Sequence, residues 1–167
     1  MHDELTQVDI QKMQEEIDYR IRELRPKLIE DVQVARGFGD LSENYEYKAA
    51  KQAKNRNESR IRYLERMIKS AVVIESRSGA DQVGLFDHVT LWFEEDGEEQ
   101  VITLVTTLRQ NPLKGLISKE SPVGKAVMGR RVGDRVLVPV SDEYSYYVTI
   151  RAIEKGEDDA SLDIMQY

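Results

Sequence analysis

The part of the chain richest in groups that could do chemistry is Gly39-Asp40-Leu41-Ser42-Glu43-Asn44-Tyr45-Glu46-Tyr47. Asp40 and Glu43 lie three residues apart, at the start of a helical pattern. Two exposed carboxylates at that spacing hold a hard cation such as Mg²⁺ only weakly, because the ion completes its octahedron with waters and phosphate oxygens. The same residues also make an ordinary helix start. Ser42 or Asp40 serves as a cap, with Glu43 and Glu46 in the first turn beside free backbone donors. Nothing else in the sequence offers a complete metal site. The chain has no cysteine, which removes disulfides, thiolate zinc sites and thiol nucleophiles, and its two histidines, His2 and His88, are far apart.

The elements that carry this segment are two long amphipathic helices. Over residues 8–36, apolar side chains recur at Ile10, Met13, Ile17, Ile21, Leu24 and Leu28 in steps of three and four. Thr6 is placed to cap this helix with Asp9 three residues on, and Pro26 is expected to kink or split it near Arg25. Gly37 fits the position just past its end. A second helix is expected from about Ser42 to Ser70, with its seam at Ala50, Ala53, Asn57, Ile61, Leu64, Ile68 and Ala71. Each seam needs the other to cover it, so the two form an antiparallel hairpin whose arms reach ~45 Å at ~1.5 Å per residue. Asn57 inside the seam is expected to fix register. The far tip is then residues 37–47, a sensible way to deliver carboxylates to another molecule's site.

Ser76–Gln82 reads as a linker, after which the hydrophobic period becomes two. Strands are expected at His88–Phe93 and Gln100–Val105 around an Asp96-Gly97 turn, and at Arg135–Val140 and Tyr146–Ile153. Ser121-Pro122 opens a short helix that closes at Gly129. The chain is therefore expected to be an α+β protein. Residues 1–76 form an antiparallel α-helical coiled-coil hairpin, 83–155 an antiparallel β-sheet domain with a short helix, and 156–167 a loose acidic tail.

The 167 residues carry a net charge of −7, unevenly spread. Residues 1–78 balance 15 basic against 15 acidic groups, whereas 79–167 hold 9 against 16. Within the first half, Lys48, Lys51, Lys54, Arg56, Arg60, Arg62, Arg66 and Lys69 face only Glu58 and Glu65. A basic helix in an acidic protein fits a polyanion, or simply a solvated face. No apolar run is long enough to span a bilayer. The N-terminus Met-His-Asp-Glu has no apolar core, so a cytoplasmic protein is expected.

Gly39 through Tyr47, followed by Ala49-Ala50-Lys51, closely resembles the tip motif of the bacterial Gre transcript cleavage factors. Arg25-Pro26-Lys27-Leu28-Ile29, Gly115 through Gly129 and Val132-Gly133-Asp134 resemble further family signatures, in order along nearly the whole chain. The resemblance implies an FKBP-like fold for the second domain. It implies a hairpin that enters the secondary channel of RNA polymerase and a globular domain that docks on the channel rim. Asp40 and Glu43 would help hold the second Mg²⁺ at the polymerase active centre, with no metal bound by the protein alone. The polymerase itself would then cleave backtracked RNA, so the factor is an accessory and not an enzyme. By the same resemblance Lys48, Lys51, Lys54 and Arg56 would follow the RNA 3′ segment. Glu120, Ser121 and Pro122 would reach the rim, and Ser42, Asn44 and Tyr47 would support the tip. Tyr47 either packs beside a base or metal-bound water, or covers the hairpin end.

Four features depart from the family. Tyr45 stands where many members carry a small residue, Phe38 adds a second bulky group at the tip, Thr106–Pro112 replaces an acidic stretch, and the tail after Ile153 runs past the usual end. A Gre-like homologue that plugs the channel without stimulating cleavage is therefore the rival expectation. An FKBP-like domain also raises prolyl isomerisation, for which Phe86, Trp92, Phe93, Tyr144, Tyr146 and Tyr147 supply aromatics without a recognisable pattern. A self-satisfied hairpin seam favours a monomer.

Overall fold

A computed structural model describes residues 3–39, 44–75 and 78–166. The chain divides into two units. One contains Ile10–Val72, and the other joins Glu4–Asp9 to the chain from Val73 onward. In sequence order the regular elements are β1 (Glu4–Leu5), α1 (Gln7–Tyr19), α2 (Arg25–Arg36), α3 (Tyr45–Ser70), β2 (Val72–Val73), β3 (His88–Phe93), β4 (Glu98–Val105), β5 (Leu116–Ser118), α4 (Pro122–Val127), β6 (Arg135–Pro139) and β7 (Ser145–Glu154).

In the helical unit, α1 runs into α2 through a π-helical turn at Arg20–Leu24. Pro26 has no N–H to offer the carbonyl four residues back, and the ladder slips one position ahead of it. The Arg25 N–H therefore reaches the Arg20 carbonyl. Pro26 thus divides the first helix into two elements without ending it. The same Arg20 carbonyl accepts from Asn57 Nδ2 (3.2 Å), while Arg20 Nη1 donates to Asn57 Oδ1 (3.0 Å). Asn57 is buried, and Glu16 beside it bonds both Arg20 (2.8 Å) and Arg60 (2.7 Å). A polar layer of this kind has good partners only in one alignment of the helices, so it sets register. Ile61, Leu64, Val32 and Ala35 are buried, as the three-four spacing requires.

In the globular unit, five strands lie in the order β5-β4-β3-β7-β6. All neighbours are antiparallel except β4 and β5, which run parallel. β5 was not expected from sequence. The inward positions of β3, β4, β6 and β7 (Val89, Leu91, Ile102, Leu104, Val136, Val138, Val148 and Ile150) form the core with Val83 and Val127.

The tail is not loose. Leu162 packs against the cluster of Leu85, Phe86 and Val105, Ile164 is buried, and the Met165 N–H donates to the Leu108 carbonyl (2.6 Å). Arg109, fully buried, holds the tail and the N-terminal segment together. It donates to Asp9 Oδ1 (2.7 Å), the Asp159 carbonyl (2.9 Å) and the Asp158 carboxylate. Thr6 and Asp9 form a reciprocal capping box at the start of α1, with Thr6 N to Asp9 Oδ2 at 3.0 Å and Asp9 N to Thr6 Oγ1 at 3.3 Å. The guanidinium also lies 4.8 Å from the centre of the Phe86 ring, whose residue takes a left-handed φ of 69°.

Candidate functional site: the end of the helical hairpin

Asp40, Leu41, Ser42 and Glu43 lie outside the described residues, as do 76–77 of the expected linker. What the structure gives is the frame on either side of 40–43. α2 ends with Gly37 at its C-cap in right-handed geometry (φ −68°), its N–H bonded to the Val34 carbonyl. The left-handed turn expected at Gly37 falls instead at Gly39, where φ is 118° and a side chain would be strained. On the far side, α3 begins at Tyr45, later than the expected Ser42. Its N-cap is Asn44, where Ser42 or Asp40 was expected.

Asn44 does two things with one side chain. Its Oδ1 accepts the Tyr47 N–H (3.0 Å), which satisfies a free donor at the helix start, and its Nδ2 donates to the Ala35 carbonyl (2.6 Å) at the end of α2. The Phe38 N–H donates to that same carbonyl (3.2 Å). The two ends of the tip are therefore tied to each other across the segment that carries both carboxylates.

The ring of Tyr47 is half-buried, with the Arg36 guanidinium 5.6 Å from its centre. The hydroxyl is held below its ordinary tyrosine value, chiefly by a hydrogen bond from Arg36 and then by the positive charges of Lys51, Arg36 and Lys54. Tyr47, Lys51 and Lys54 follow one helix face at four- and three-residue steps, so a common positive field there is the expected result. Lys48 and Lys51 are exposed and Lys54 is half-buried. Arg56, although exposed, is about 160° round the helix from Lys54, since residues two apart do not share a face. The four basic residues named from sequence therefore do not form one stripe. Behind them, Arg25 makes a two-pronged pair with Glu58 (2.7 and 2.9 Å).

In the globular unit, Ser121 caps α4. Its Oγ accepts the Gly124 N–H (3.1 Å) and donates to the Ser118 carbonyl (2.7 Å). A Cβ on Gly124 would come within 2.3 Å of that carbonyl, so the turn admits only glycine there. Glu120 is exposed, and its carboxyl is held below the usual range by hydrogen bonding to Lys119. Glu120 and Pro122 border an open groove of about 440 Å³ that runs past Ala126, Met128 and Leu137. Phe93, Tyr146 and Tyr144 lie in a row, with successive ring centres 6.0 Å apart. Phe86 is buried beneath Arg109, whereas Trp92 and Tyr147 lie under Arg151 and Arg135 respectively.

Among the described residues, no group of three or more His, Asp or Glu side chains is placed to hold a metal ion, and no helix is long and apolar enough to cross a membrane.

Two family signatures tile the chain. "Transcription elongation factor, N-terminal" matches residues 4–73, and "Transcription elongation factor, GreA/GreB, C-term" matches 78–155. The chain belongs to the GreA/GreB family of transcription elongation factors. Transcription elongation factor GreA of Geobacillus kaustophilus is 44% identical over 135 residues, covering 80% of this chain and 85% of that protein. The GreA of Oenococcus oeni is 36% identical over 154 residues, covering 92% and 95%. Among solved structures, GreA factor homolog 1 of Thermus thermophilus is 28% identical, with a TM-score of 0.41 over 93% of this chain and 100% of that one. The GreA/GreB signature ends at residue 155, so Asp158, Asp159, Leu162 and Ile164, which complete the globular unit here, lie beyond it. Sequence reasoning missed this anchor because Arg109 reads as an isolated surface base until its partners Thr6, Asp9, Asp158 and Asp159, 49 to 103 positions away, are seen in space.

Proposed function

We propose that this GreA/GreB-family chain is a cytoplasmic transcription elongation factor that acts on bacterial RNA polymerase as a monomer. Its hairpin enters the secondary channel and stimulates the polymerase's own cleavage of backtracked RNA. The observation that carries the reading is the Asn44 tie, which joins the end of α2 to the start of α3 on either side of residues 40–43. Asp40 and Glu43 supply two carboxylates, too few to enclose a hard cation. They would share a Mg²⁺ ion with the polymerase, which when bound supplies the Lewis-acid and water-activating chemistry of a two-metal site.

The chain's own residues position and attract. The Tyr47–Lys51–Lys54 face draws the phosphates of the extruded RNA 3′ segment without reading its sequence. Glu120 and Pro122, on the rigid turn set by Ser121, meet the channel rim. No group of this chain has to form or break a covalent bond, so it is an accessory and not an enzyme.

The test is transcript shortening in a stalled, backtracked bacterial polymerase complex, with wild type beside Asp40→Asn and Glu43→Gln. Mg²⁺-dependent shortening by wild type, lost in both variants, is the expected result. If wild type and variants slow elongation alike without shortening RNA, the protein is a channel plug and the carboxylate role falls.

A further inference from the structure

Two large rings at the hairpin end are exposed. Tyr45 is 80% exposed and Phe38 is 66% exposed, on either side of residues 40–43. Tyr45 is the first residue of α3, so the Asn44 cap fixes its backbone, while its ring stays exposed. Tyr47, two positions on, shows the contrast: it is half-buried and engaged by Arg36. Among the described residues, a cation lies against the Tyr45 ring, Lys48 Nζ at 5.6 Å from its centre. A flat, solvent-facing π surface with an ammonium group beside it matches a nucleotide, whose base stacks on the ring while its phosphate meets the charge. The positive field of Arg36, Lys51 and Lys54 at Tyr47 extends the same preference for a polyanion along the helix.

We propose that Tyr45, with Lys48 beside its ring, is a stacking platform for a base of the extruded RNA 3′ segment. It makes this factor sensitive to whether that segment carries bases at all, and to how well they stack. The inference rests on the reading of the hairpin as the part that meets backtracked RNA. Stacking is blind to hydrogen-bonding pattern, so the preference falls by ring size, with purine above pyrimidine and both above an abasic site. Lys48 contributes only the salt-dependent part.

The experiment uses the full chain and backtracked polymerase complexes whose extruded segment is purine, pyrimidine or abasic, and reads the factor concentration for half-maximal cleavage. Wild type is expected to need roughly 5- to 10-fold less protein on purine than on abasic segments. Tyr45→Ala should remove that difference, and Tyr45→Phe or Tyr45→Trp should keep it. Alanine at an exposed first helical position leaves the helix intact, which far-ultraviolet circular dichroism confirms. If Tyr45→Ala weakens all three complexes equally, the ring touches polymerase protein and the proposal is overturned. It is equally overturned if the variant matches wild type throughout.

A second readout separates this from the function above. 5-Iodouridine in the extruded segment is photo-cross-linked within the complex and the adduct mapped by mass spectrometry. Adducts on Tyr45 uphold the platform even if wild type stimulates no cleavage, whereas adducts confined to polymerase overturn it even if cleavage is normal.

Discussion

Asn44 and Ala35 are joined by a hydrogen bond of 2.6 Å from a side-chain amide to a main-chain carbonyl, nine residues apart and on opposite arms of the hairpin. That carbonyl sits in the last turn of α2, where it has no partner further along its own helix. The same amide side chain caps α3 through Tyr47. One residue thus closes two helix ends and sets the span across which Asp40 and Glu43 must be carried.

Asn44→Ala should cost about 1 kcal/mol from the lost cap, with a further loss from one hydrogen bond to the Ala35 carbonyl, which keeps the Phe38 N–H. Asn44→Asp separates the two roles, because a carboxylate still caps α3 but has no hydrogen to donate to Ala35. Amide exchange at Tyr47 should quicken in the alanine variant and stay slow in the aspartate one, while Phe38 exchange quickens in both. Equal protection at both amides in both variants would refute the double role.

Arg109→Met should destabilise the globular unit by roughly 3–5 kcal/mol, since it strands the buried Asp9 carboxylate and that of Asp158. A chain ending at Gly156 should also be destabilised, because it removes Asp158, Leu162 and Ile164 together. The urea midpoint of the β-sheet signal reports both. A tail that merely hangs from the domain would leave the second midpoint where wild type has it.

The Arg25–Glu58 pair makes hairpin stability depend on pH. Glu58 is held below its usual value of 4.5, first by the hydrogen bond from Arg25 and then by the neighbouring charges of Arg25, Arg62 and Lys54. A depressed native value means that the stabilisation is fully present above the unfolded value and is lost as pH falls through the native one. The gap in urea midpoint between wild type and Arg25→Gln should therefore be constant near neutrality and close below pH 4.5. A gap unchanged down to pH 2 would mean that the pair contributes packing alone.

Replacing Lys51 and Lys54 together by Gln should flatten the salt dependence of the half-maximal factor concentration by about 1.4 logarithmic units per decade of salt, the value for two contacts to a single strand. Arg56→Gln, on another side of α3, should change it least. A larger effect from Arg56 than from the lysine pair would place the RNA on the opposite face.

The hairpin was legible because its signals are local. The seam of α3 from Ala50 to Ala71 follows from spacing alone, and Asn57 declared itself as the polar residue inside it. The β3–β4 turn was equally local, since Asp96-Gly97 between alternating strands puts the left-handed residue at Gly97, whose φ is 63°. What escaped reading depended on partners far along the chain. β5 is three residues long and pairs in parallel with β4, which no adjacent turn announces. The tail looked like a solvated acidic end because the base that binds it lies 49 residues upstream. The start of α3 was misplaced by three residues, since Asp40, Ser42 and Asn44 are all good caps. Only Asn44 also reaches the Ala35 carbonyl.

The Thr6–Asp9 segment has a consequence for the order in which the chain is made. Thr6 bonds Asp158 across 152 positions and Asp9 bonds Arg109 across 100, whereas the ties within the hairpin span 9 to 44. On a translating ribosome, the helical arms can zip together once residue 75 or so has emerged. Thr6 and Asp9 lack their full set of distant partners until Asp158 has been made, roughly 4–17 s later at 5–20 residues per second. The hairpin's own ties can thus form before the contacts that seat Thr6 and Asp9.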